Sequence, residues 1–252
     1  MFKPNQLPKR PGAATTTNNT ASHTNSPEKS SAIKPAGNVY DDMIKSNDGK
    51  LHALNAQNAK TSTQIISEIQ HEGGILDPAQ IVSILKIRRG LHIAEFGVGA
   101  GHYIIPLAKA VGDDGLVYGI DIQKGLLLKF LRESKAQHLD NVRAVWGDLE
   151  SAGGSKLPDE EVDMVIAANI LFQVKHKNEL IREANRILKS NGRLIIIDWS
   201  SSAGLLGPKP EHLVNKESIK ALCAENNFTF ISDMQIDKFH FMLKFAKNPN
   251  FK

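Results

Sequence analysis

Three glycines alternate with other residues in the segment Glu95-Phe96-Gly97-Val98-Gly99-Ala100-Gly101. The segment lies where an apolar run of strand length gives way to an amphipathic run of helix length. Glycines at such a turn let the backbone pass close to a ligand, and the following helix directs its first N–H groups at that ligand. The dinucleotide fingerprint needs a third glycine three residues after the second, and His102 occupies that position. The segment therefore predicts a ligand-binding turn without identifying the ligand.

The elements that must position this turn are visible from residue 77 onward. Asp77 before Pro78 predicts the N-cap of a helix that ends near Gly90, and Asn191-Gly192 predicts a tight turn before the fifth strand. Apolar runs then alternate with amphipathic stretches, which predicts a parallel sheet covered by helices on both faces. The predicted strands are Leu91–Phe96, Val117–Asp121, Val142–Trp146, Val162–Ala167 and Arg193–Asp198, and the predicted helices are His102–Val111, Gln123–Gln137 and Lys177–Lys189.

The last fifty residues break this alternation. A Gly/Pro-rich loop at Ser201–Pro210 and a helix at Lys216–Glu225 precede two strands, Phe228–Gln235 and Phe239–Phe245. A connection of only three residues joins antiparallel strands, because a parallel crossover needs about a dozen residues or more. The sheet is therefore predicted to end in an antiparallel hairpin.

Composition divides the chain into three parts. Residues 1–38 contain almost no large apolar side chain and cannot offset the entropy of ordering, so we interpret them as a disordered low-complexity tail. Residues 39–76 have a weak helical pattern and are predicted to form a peripheral helical segment. The tail carries five basic residues and one acidic residue, which leaves 26 of each sign in the remainder. A neutral folded part argues against nucleic acid as a partner.

Cys223 is the only cysteine, which excludes intramolecular disulfides and cysteine-rich zinc sites and fits a reducing compartment. No run approaches the roughly 18–20 apolar residues that span a bilayer, and the N-terminus lacks the apolar core of a signal peptide. We expect a cytoplasmic protein with no membrane span and no metal site. The oligomeric state is not indicated.

From about Asp77 to Lys247 the chain resembles the class I S-adenosylmethionine-dependent methyltransferases. In that family the first strand ends in an acid two positions before the first glycine, as Glu95 does before Gly97. The Gly147-Asp148-Leu149 segment after the third strand and the terminal hairpin also match. The resemblance implies a Rossmann-like α/β fold with a seven-stranded, mostly parallel sheet, a methyltransferase domain at 77–252, and S-adenosyl-L-methionine as the cofactor.

The resemblance also implies roles for individual residues. Asp121 would accept both ribose hydroxyls, one on each carboxylate oxygen. Asp148 would accept the adenine amino group while Ile122 and Leu149 sandwich the ring, and Asn169 would meet the methionine end. Two structural alternatives remain, namely Asp148 as a helix cap and Asn169 as a turn residue at a strand end. The implied cofactor-binding residues are Glu95, Gly97, Gly99, Gly101, Asp121, Ile122, Asp148, Leu149 and Asn169.

The chain is most similar to a small-molecule group that includes quinone-biosynthesis C-methyltransferases and arsenite methyltransferases. Two departures weigh against those acceptors. The arsenite enzymes hold the metalloid with several cysteines, whereas this chain has only Cys223. The quinone enzymes carry Gly-Leu-Arg-Asn after the fourth strand, where this chain has Asn169-Ile170-Leu171-Phe172-Gln173. The prediction is therefore a small-molecule acceptor of unidentified structure. The similarity is carried by Asn141-Val142, Trp146-Gly147-Asp148, Leu157-Pro158 and Ala184–Lys189.

Methyl transfer is an in-line displacement, so holding the reacting atoms collinear can supply most of the catalysis. If a base is used, its candidates follow the strands at their carboxyl ends. His212 is favoured because its loop should approach the acceptor, with Phe172 and Trp199 as apolar walls. Each of the others has a structural interpretation: loop lining, a cap, or exposure on the hairpin. The four candidates are His102, Asp198, His212 and His240.

Two other functions are compatible with parts of the sequence. An NAD-dependent oxidoreductase would share the first half of the fold and explain Asp121, but it would not explain His102, Asp148 or the final hairpin. A non-catalytic scaffold could retain the nucleotide fold and use the basic tail for docking. Binding of S-adenosylhomocysteine rather than NAD separates the first of these from a methyltransferase, and turnover separates the second.

Overall fold

The computed structural model describes residues 77–201 and 207–249. The predicted tail (1–38) and peripheral helical segment (39–76) lie outside the described residues, as do 202–206 of the predicted loop. Within the described ranges, no helix is long and apolar enough to cross a membrane. In the same ranges, no three His, Cys, Asp or Glu side chains are grouped so that they could hold a metal ion.

Seven strands form one sheet in the order β3-β2-β1-β4-β5-β7-β6. Strands β1 to β5 run parallel, β7 is antiparallel to β5, and β6 is antiparallel to β7. The predicted mostly parallel sheet with a C-terminal antiparallel hairpin is confirmed. The strands are β1 (His92–Phe96), β2 (Leu116–Asp121), β3 (Val142–Trp146), β4 (Val162–Ala168), β5 (Leu188–Trp199), β6 (Phe228–Gln235) and β7 (His240–Lys247).

Five α-helices and one 3-10 turn are present in the described part of the chain, and the helices cover both faces of the sheet. One face packs against the first three helices through residues such as Ile81, Leu107 and Phe130. The other packs against the last two through residues such as Leu180 and Ile219. The helices are α1 (Pro78–Leu85), α2 (Ile104–Val111), α3 (Lys124–Ala136), α4 (Lys177–Ile187) and α5 (Lys216–Glu225), and the 3-10 turn is Pro210–His212.

Helix α1 begins as predicted, because the Asp77 side chain accepts a hydrogen bond from the Ala79 N–H at 2.9 Å. Its predicted end near Gly90 is wrong. Lys86 adopts a left-handed conformation with φ 51° and its N–H donates to the Ser83 carbonyl, which closes the helix after Leu85.

The predicted turn at Asn191-Gly192 does not precede the fifth strand but lies inside it. Strand β5 starts directly after α4, with Leu188 paired to Val162 and Arg193 paired to Met164. The intervening residues bulge out of the ladder, and Asn191 has φ 64°. Asparagine tolerates this backbone conformation, so the chain turns locally without leaving the sheet.

The hairpin begins one residue later than predicted, since β7 starts at His240 rather than Phe239. The reason is Asp237, whose carboxylate accepts the backbone N–H groups of Phe239 (2.7 Å) and His240 (2.8 Å). The Ile236 N–H then donates to the His240 carbonyl at 2.9 Å and opens the ladder. This capped turn fixes the position of the His240 side chain.

Candidate functional site

The glycine turn after β1 folds back over the end of β2. The N–H groups of Gly97 and Val98 both donate to the Ile120 carbonyl, at 2.9 and 3.1 Å, and the Gly101 N–H donates to Val98 at 2.9 Å. These bonds place the turn at the carboxyl ends of the strands, where open α/β sheets bind ligands.

The three glycines have different surroundings. A Cβ atom added at Gly97 would lie 2.4 Å from Ile170 Cδ1, and one added at Gly101 would lie 2.4 Å from Phe130 Cβ. At Gly99 the nearest atom would be the Gly97 carbonyl oxygen at 3.9 Å. Packing against Phe130 therefore requires Gly101, whereas at Gly97 the end of the Ile170 side chain would have to shift. Gly99 presents its backbone to open space, which a ligand can enter.

Asp121 ties the glycine turn to the loop after β2. One carboxylate oxygen accepts the Gly99 N–H at 2.9 Å, and the other accepts the Gln123 N–H at 2.8 Å. The side chain is buried, and each oxygen keeps a further lone pair. It can therefore accept two hydroxyl groups without giving up the bonds that hold it.

Glu95 at the end of β1 is buried, and its Oε2 atom has no hydrogen-bond partner. Burial raises the pKa of this carboxyl well above its usual range, and the nearby Asp121 raises it further. An unpartnered buried carboxyl oxygen is costly. A cationic or hydrogen-donating ligand group would relieve that cost, and the methionine end of S-adenosyl-L-methionine carries such groups.

The predicted adenine contacts differ in exposure. Ile122 is 59% exposed and offers an apolar surface beside the turn, whereas Leu149 is 7% exposed and packs in the core. Sequence reasoning missed the neighbouring Trp146, which is partly exposed and donates from Nε1 to the Ile122 carbonyl at 3.0 Å. Lys124 and Lys156 lie over the indole, with Nζ at 3.9 and 4.7 Å from the ring centroid.

Asp148 and Asn169 show the features of their structural alternatives and also keep free acceptor capacity. Asp148 is exposed, and its oxygens accept the Glu150 N–H at 3.0 Å and the Ser151 hydroxyl at 3.1 Å. Asn169 turns the chain after β4 with φ 54°, and its N–H donates to the Ile197 carbonyl at 2.8 Å. Its Oδ1 atom is buried without a partner. Neither arrangement excludes the predicted ligand role.

Strand parity sorts the residues at this edge between the two faces of the sheet. Glu95 lies two residues after Ile93 on β1, and Asp121 lies four residues after Val117 on β2, so the members of each pair face the same side of the sheet. Ile93 and Val117 pack with α1, α2 and α3. The same alternation places Trp199 on that face, because Ile197 also belongs to that cluster. These three side chains share one side of the sheet, at its carboxyl edge.

Asp198 lies on the opposite face and is fully buried. Its oxygens accept the N–H groups of Leu171 at 2.9 Å and Trp199 at 2.8 Å, so the side chain fixes the loop after β4. Burial raises the pKa of the Asp198 carboxyl to about 6, although the backbone hydrogen bonds act to lower it. His102 and His212 are both exposed.

His240 is 2% exposed, which contradicts the structural alternative that it faces solvent from the hairpin. Its ring lies 4.1 Å from that of Trp199 between centroids, and Nδ1 is 2.9 Å from Asp237 Oδ2. The Nε2 atom is buried without a partner. Desolvation lowers the pKa of the imidazole, and Asp237 opposes that shift.

Tyr103, just before α2, is a site residue that sequence reasoning missed. It is buried, and its hydroxyl has no partner. Burial raises the pKa of the phenol, and the carboxylates of Glu95, Asp237 and Asp77 raise it further. The sequence feature that could have identified it is a tyrosine two residues after the last glycine of the turn. Of the seven buried side-chain polar atoms without partners in the described ranges, four lie at this edge, on Glu95, Tyr103, Asn169 and His240.

A family model described as a methyltransferase domain matches residues 87–247. Human arsenite methyltransferase is 30% identical over 119 residues, covering 45% of this chain and 32% of the human protein. A ubiquinone/menaquinone biosynthesis C-methyltransferase of Pseudomonas entomophila is 31% identical over 132 residues, covering 51% and 49%. The chain thus spans about a third of the length of the human protein and about half of the length of the bacterial one. A crystal structure of a SAM-dependent methyltransferase from Aquifex aeolicus has the same fold, with TM-score 0.63, 23% identity, and coverage of 71% and 97%.

Proposed function

Because this chain belongs to the methyltransferase family whose model matches residues 87–247, we propose that it transfers a methyl group from S-adenosyl-L-methionine to a small-molecule acceptor. The observation that carries the proposal is the pair of buried acids, Glu95 and Asp121, on either side of the open backbone at Gly99. One acid lacks a partner and the other keeps lone pairs, and they lie on neighbouring parallel strands at the carboxyl edge of the sheet. We propose that the methyltransferase domain starts near Asp77.

Different residues would hold the ribose, the adenine and the methionine end of the cofactor. Asp121 would accept the ribose hydroxyls while it keeps its bonds to Gly99 and Gln123. Ile122 would cover one face of the adenine, and Glu95 would receive the ammonium group of the methionine end, directly or through water. The bound cofactor supplies an electrophilic methyl group on a sulfonium. The protein's part is to orient that methyl group and exclude water.

The acceptor that we propose is not arsenite, the acceptor for which one of the relatives is named. Cys223 is buried, and burial raises the pKa of its thiol to about 12, so it offers no thiolate to a metalloid at neutral pH. The buried free thiol fits a reducing compartment. We therefore propose a cytoplasmic enzyme that acts on an organic small molecule.

The test is ligand-dependent stabilisation of the full chain, with S-adenosylhomocysteine and NAD compared side by side. At a hundredfold excess over Kd, a ligand stabilises by about 2.7 kcal/mol, which is roughly 5–11 °C in Tm for a domain of this size. We expect that shift with S-adenosylhomocysteine and none with NAD. The Asp121→Asn variant is the matched control and should show a much smaller shift.

An equal or larger shift with NAD would favour the oxidoreductase alternative, and the absence of a shift with S-adenosylhomocysteine would refute the proposal. Binding without methyl transfer to any compound in a small-molecule extract, followed with labelled cofactor, would favour the scaffold alternative. Labelled products in that extract are the expected outcome.

A further inference from the structure

An aspartate and a histidine are paired in the turn between β6 and β7. The Asp237 carboxylate lies 3.0 and 2.9 Å from His240 Nδ1. The same carboxylate accepts the backbone N–H groups of Phe239 and His240, so the turn itself holds it in place. Because a carboxylate only accepts hydrogen bonds, Nδ1 carries the hydrogen and Nε2 carries a free lone pair.

The surroundings keep this imidazole neutral. Its burial disfavours the charged form and lowers its pKa, while Asp237 limits that decrease. The turn that holds the pair also contains Lys238, whose Nζ lies 5.5 Å from the centroid of the Phe239 ring. The Asp237 carboxylate also raises the pKa of the Tyr103 phenol before α2. Strand β5 contributes the uncharged Trp199 and β6 contributes the uncharged Gln235. A neutral imidazole with an unpartnered Nε2 can accept a proton.

The Asp237–His240 pair lies at the carboxyl edge of the sheet, on the face that also carries Glu95. His240 is the register partner of Trp199, the last residue of β5, so it lies at the carboxyl ends of the parallel strands. Met242, two residues further along β7, packs on the face that carries Glu95. The carboxylates of Glu95 and Asp237 both raise the pKa of the buried Tyr103 phenol.

We propose that His240 Nε2 accepts the proton that a hydroxyl or ring N–H acceptor loses during methyl transfer, and that Asp237 is its positioning residue. This inference rests on the proposed function and adds a substrate class to it. The acceptor oxygen or nitrogen forms a bond to the methyl carbon as the carbon–sulfur bond breaks, with its electron pair leaving on sulfur. The proton moves to Nε2, and Asp237 stabilises the resulting imidazolium.

The contact with Trp199 indicates what kind of molecule approaches. The indole is partly exposed and covers the imidazole, with 45° between the ring planes. Because Nε2 is buried, an aromatic acceptor would reach it by replacing the contact of the indole with the imidazole. Aromatic hydroxyl or N–H compounds therefore need a base at this site, whereas aromatic thiols ionise without help near neutral pH.

The experiment supplies the full chain with S-adenosyl-L-methionine and three probes: catechol, benzimidazole and thiophenol. Catechol and benzimidazole must lose a proton, whereas thiophenol is already largely anionic at neutral pH. We expect wild-type protein to methylate at least one of the first two. His240→Gln should lower kcat for that probe by about 10²–10⁴-fold, while the Kd for S-adenosylhomocysteine changes less than twofold.

The pH profile separates a chemical role from a structural one. Wild-type kcat should fall as the pH drops through the lowered pKa of His240, below the ordinary value of 6.5, and His240→Gln should lack that decrease. Asp237→Asn keeps an oxygen for the backbone N–H groups of the turn but loses the charge that supports the imidazole pKa. It should shift the decrease to lower pH and reduce kcat.

Several results would overturn the inference. One is wild-type protein that binds S-adenosylhomocysteine but methylates neither catechol nor benzimidazole. Another is a His240→Gln variant with wild-type kcat, or one that loses cofactor affinity as severely as turnover. Failure to bind S-adenosylhomocysteine at all would refute the proposed function as well. If the variants do not fold, the 15N shifts of wild-type His240 decide: an Nε2-protonated tautomer contradicts the proposal, and the Nδ1-protonated form supports it.

Discussion

Replacing Gly101 with alanine should cost far more stability than the same replacement two residues earlier. Both glycines have positive φ, +83° at Gly101 and +53° at Gly99. That conformation costs an alanine about 1–2 kcal/mol, and the lower freedom of the unfolded chain returns about 0.4–1 kcal/mol. Backbone strain alone therefore predicts a loss of about 1 kcal/mol at either position.

Packing separates the two variants. The new Cβ at position 101 would lie 2.4 Å from Phe130 Cβ, an atom held near the backbone of α3 that cannot rotate away. Overpacking of this kind costs about 1–3 kcal/mol more. We expect Gly101→Ala to lose about 2–4 kcal/mol, or roughly 4–16 °C in Tm, and Gly99→Ala to lose about 1 kcal/mol.

Ligand affinity should show the opposite order. The Cβ at position 99 would project into the open space above the turn, where we propose that the cofactor lies. Gly99→Ala should therefore weaken S-adenosylhomocysteine binding at least about tenfold, which corresponds to about 1.4 kcal/mol. Folded Gly101→Ala protein should bind within a few-fold of wild type, because its new methyl group points at Phe130.

Urea denaturation and isothermal titration measure these two quantities on the same samples. Gly125→Ala is the matched control, since this glycine lies in α3 and a Cβ there meets nothing within 4 Å. Because Gly125 is the second residue of the helix, the variant should raise stability by less than about 1 kcal/mol and leave affinity unchanged. Unaltered affinity in Gly99→Ala would refute our placement of the cofactor, and equal stability losses at positions 99 and 101 would refute the packing argument.

Four further changes probe the same site. Glu95→Gln should weaken S-adenosylhomocysteine binding and remove a pH effect on stability. Because the folded-state pKa of Glu95 is raised, its protonated carboxyl stabilises the ligand-free fold below the ordinary pKa of 4.5, and that contribution is lost as the pH rises through the raised pKa. The Tm of wild type relative to the variant should therefore fall as the pH increases above 4.5. Asp121→Asn keeps only one acceptor oxygen for two N–H donors, so calorimetry should show a loss of about 1–3 kcal/mol together with much weaker binding. Ile122→Ser should change stability by less than about 0.5 kcal/mol, because the side chain is exposed, but should weaken binding several-fold by titration. Leu149→Ala should lose about 2–5 kcal/mol of stability in urea, since Leu149 packs in the core.

Much of the fold could be predicted because it depends on patterns that tertiary contacts reinforce. Buried parallel strands appear as short apolar runs, and the predicted connection of three residues after Gln235, four in the structure, left the hairpin no parallel alternative. The errors lie where local signals compete with the sheet. Asn191-Gly192 is a strong turn signal, yet the strand continues to pair with β4 on either side of it. Lys86 ends α1 in a left-handed conformation that a lysine in the sequence does not predict.

The cofactor half of the site was easier to predict than the acceptor half, because its residues directly follow strands at spacings that the sequence displays. The acceptor half depends on strand parity and on contacts between distant segments. Asp198 and His240 both lie at the carboxyl edge of the sheet, but they lie on opposite faces. Asp198 is fully buried on the face opposite Glu95 and holds the backbone N–H groups of Leu171 and Trp199, whereas His240 keeps an unpartnered Nε2. A shift of one residue along either strand would exchange these roles, and only pairing across the sheet fixes that register.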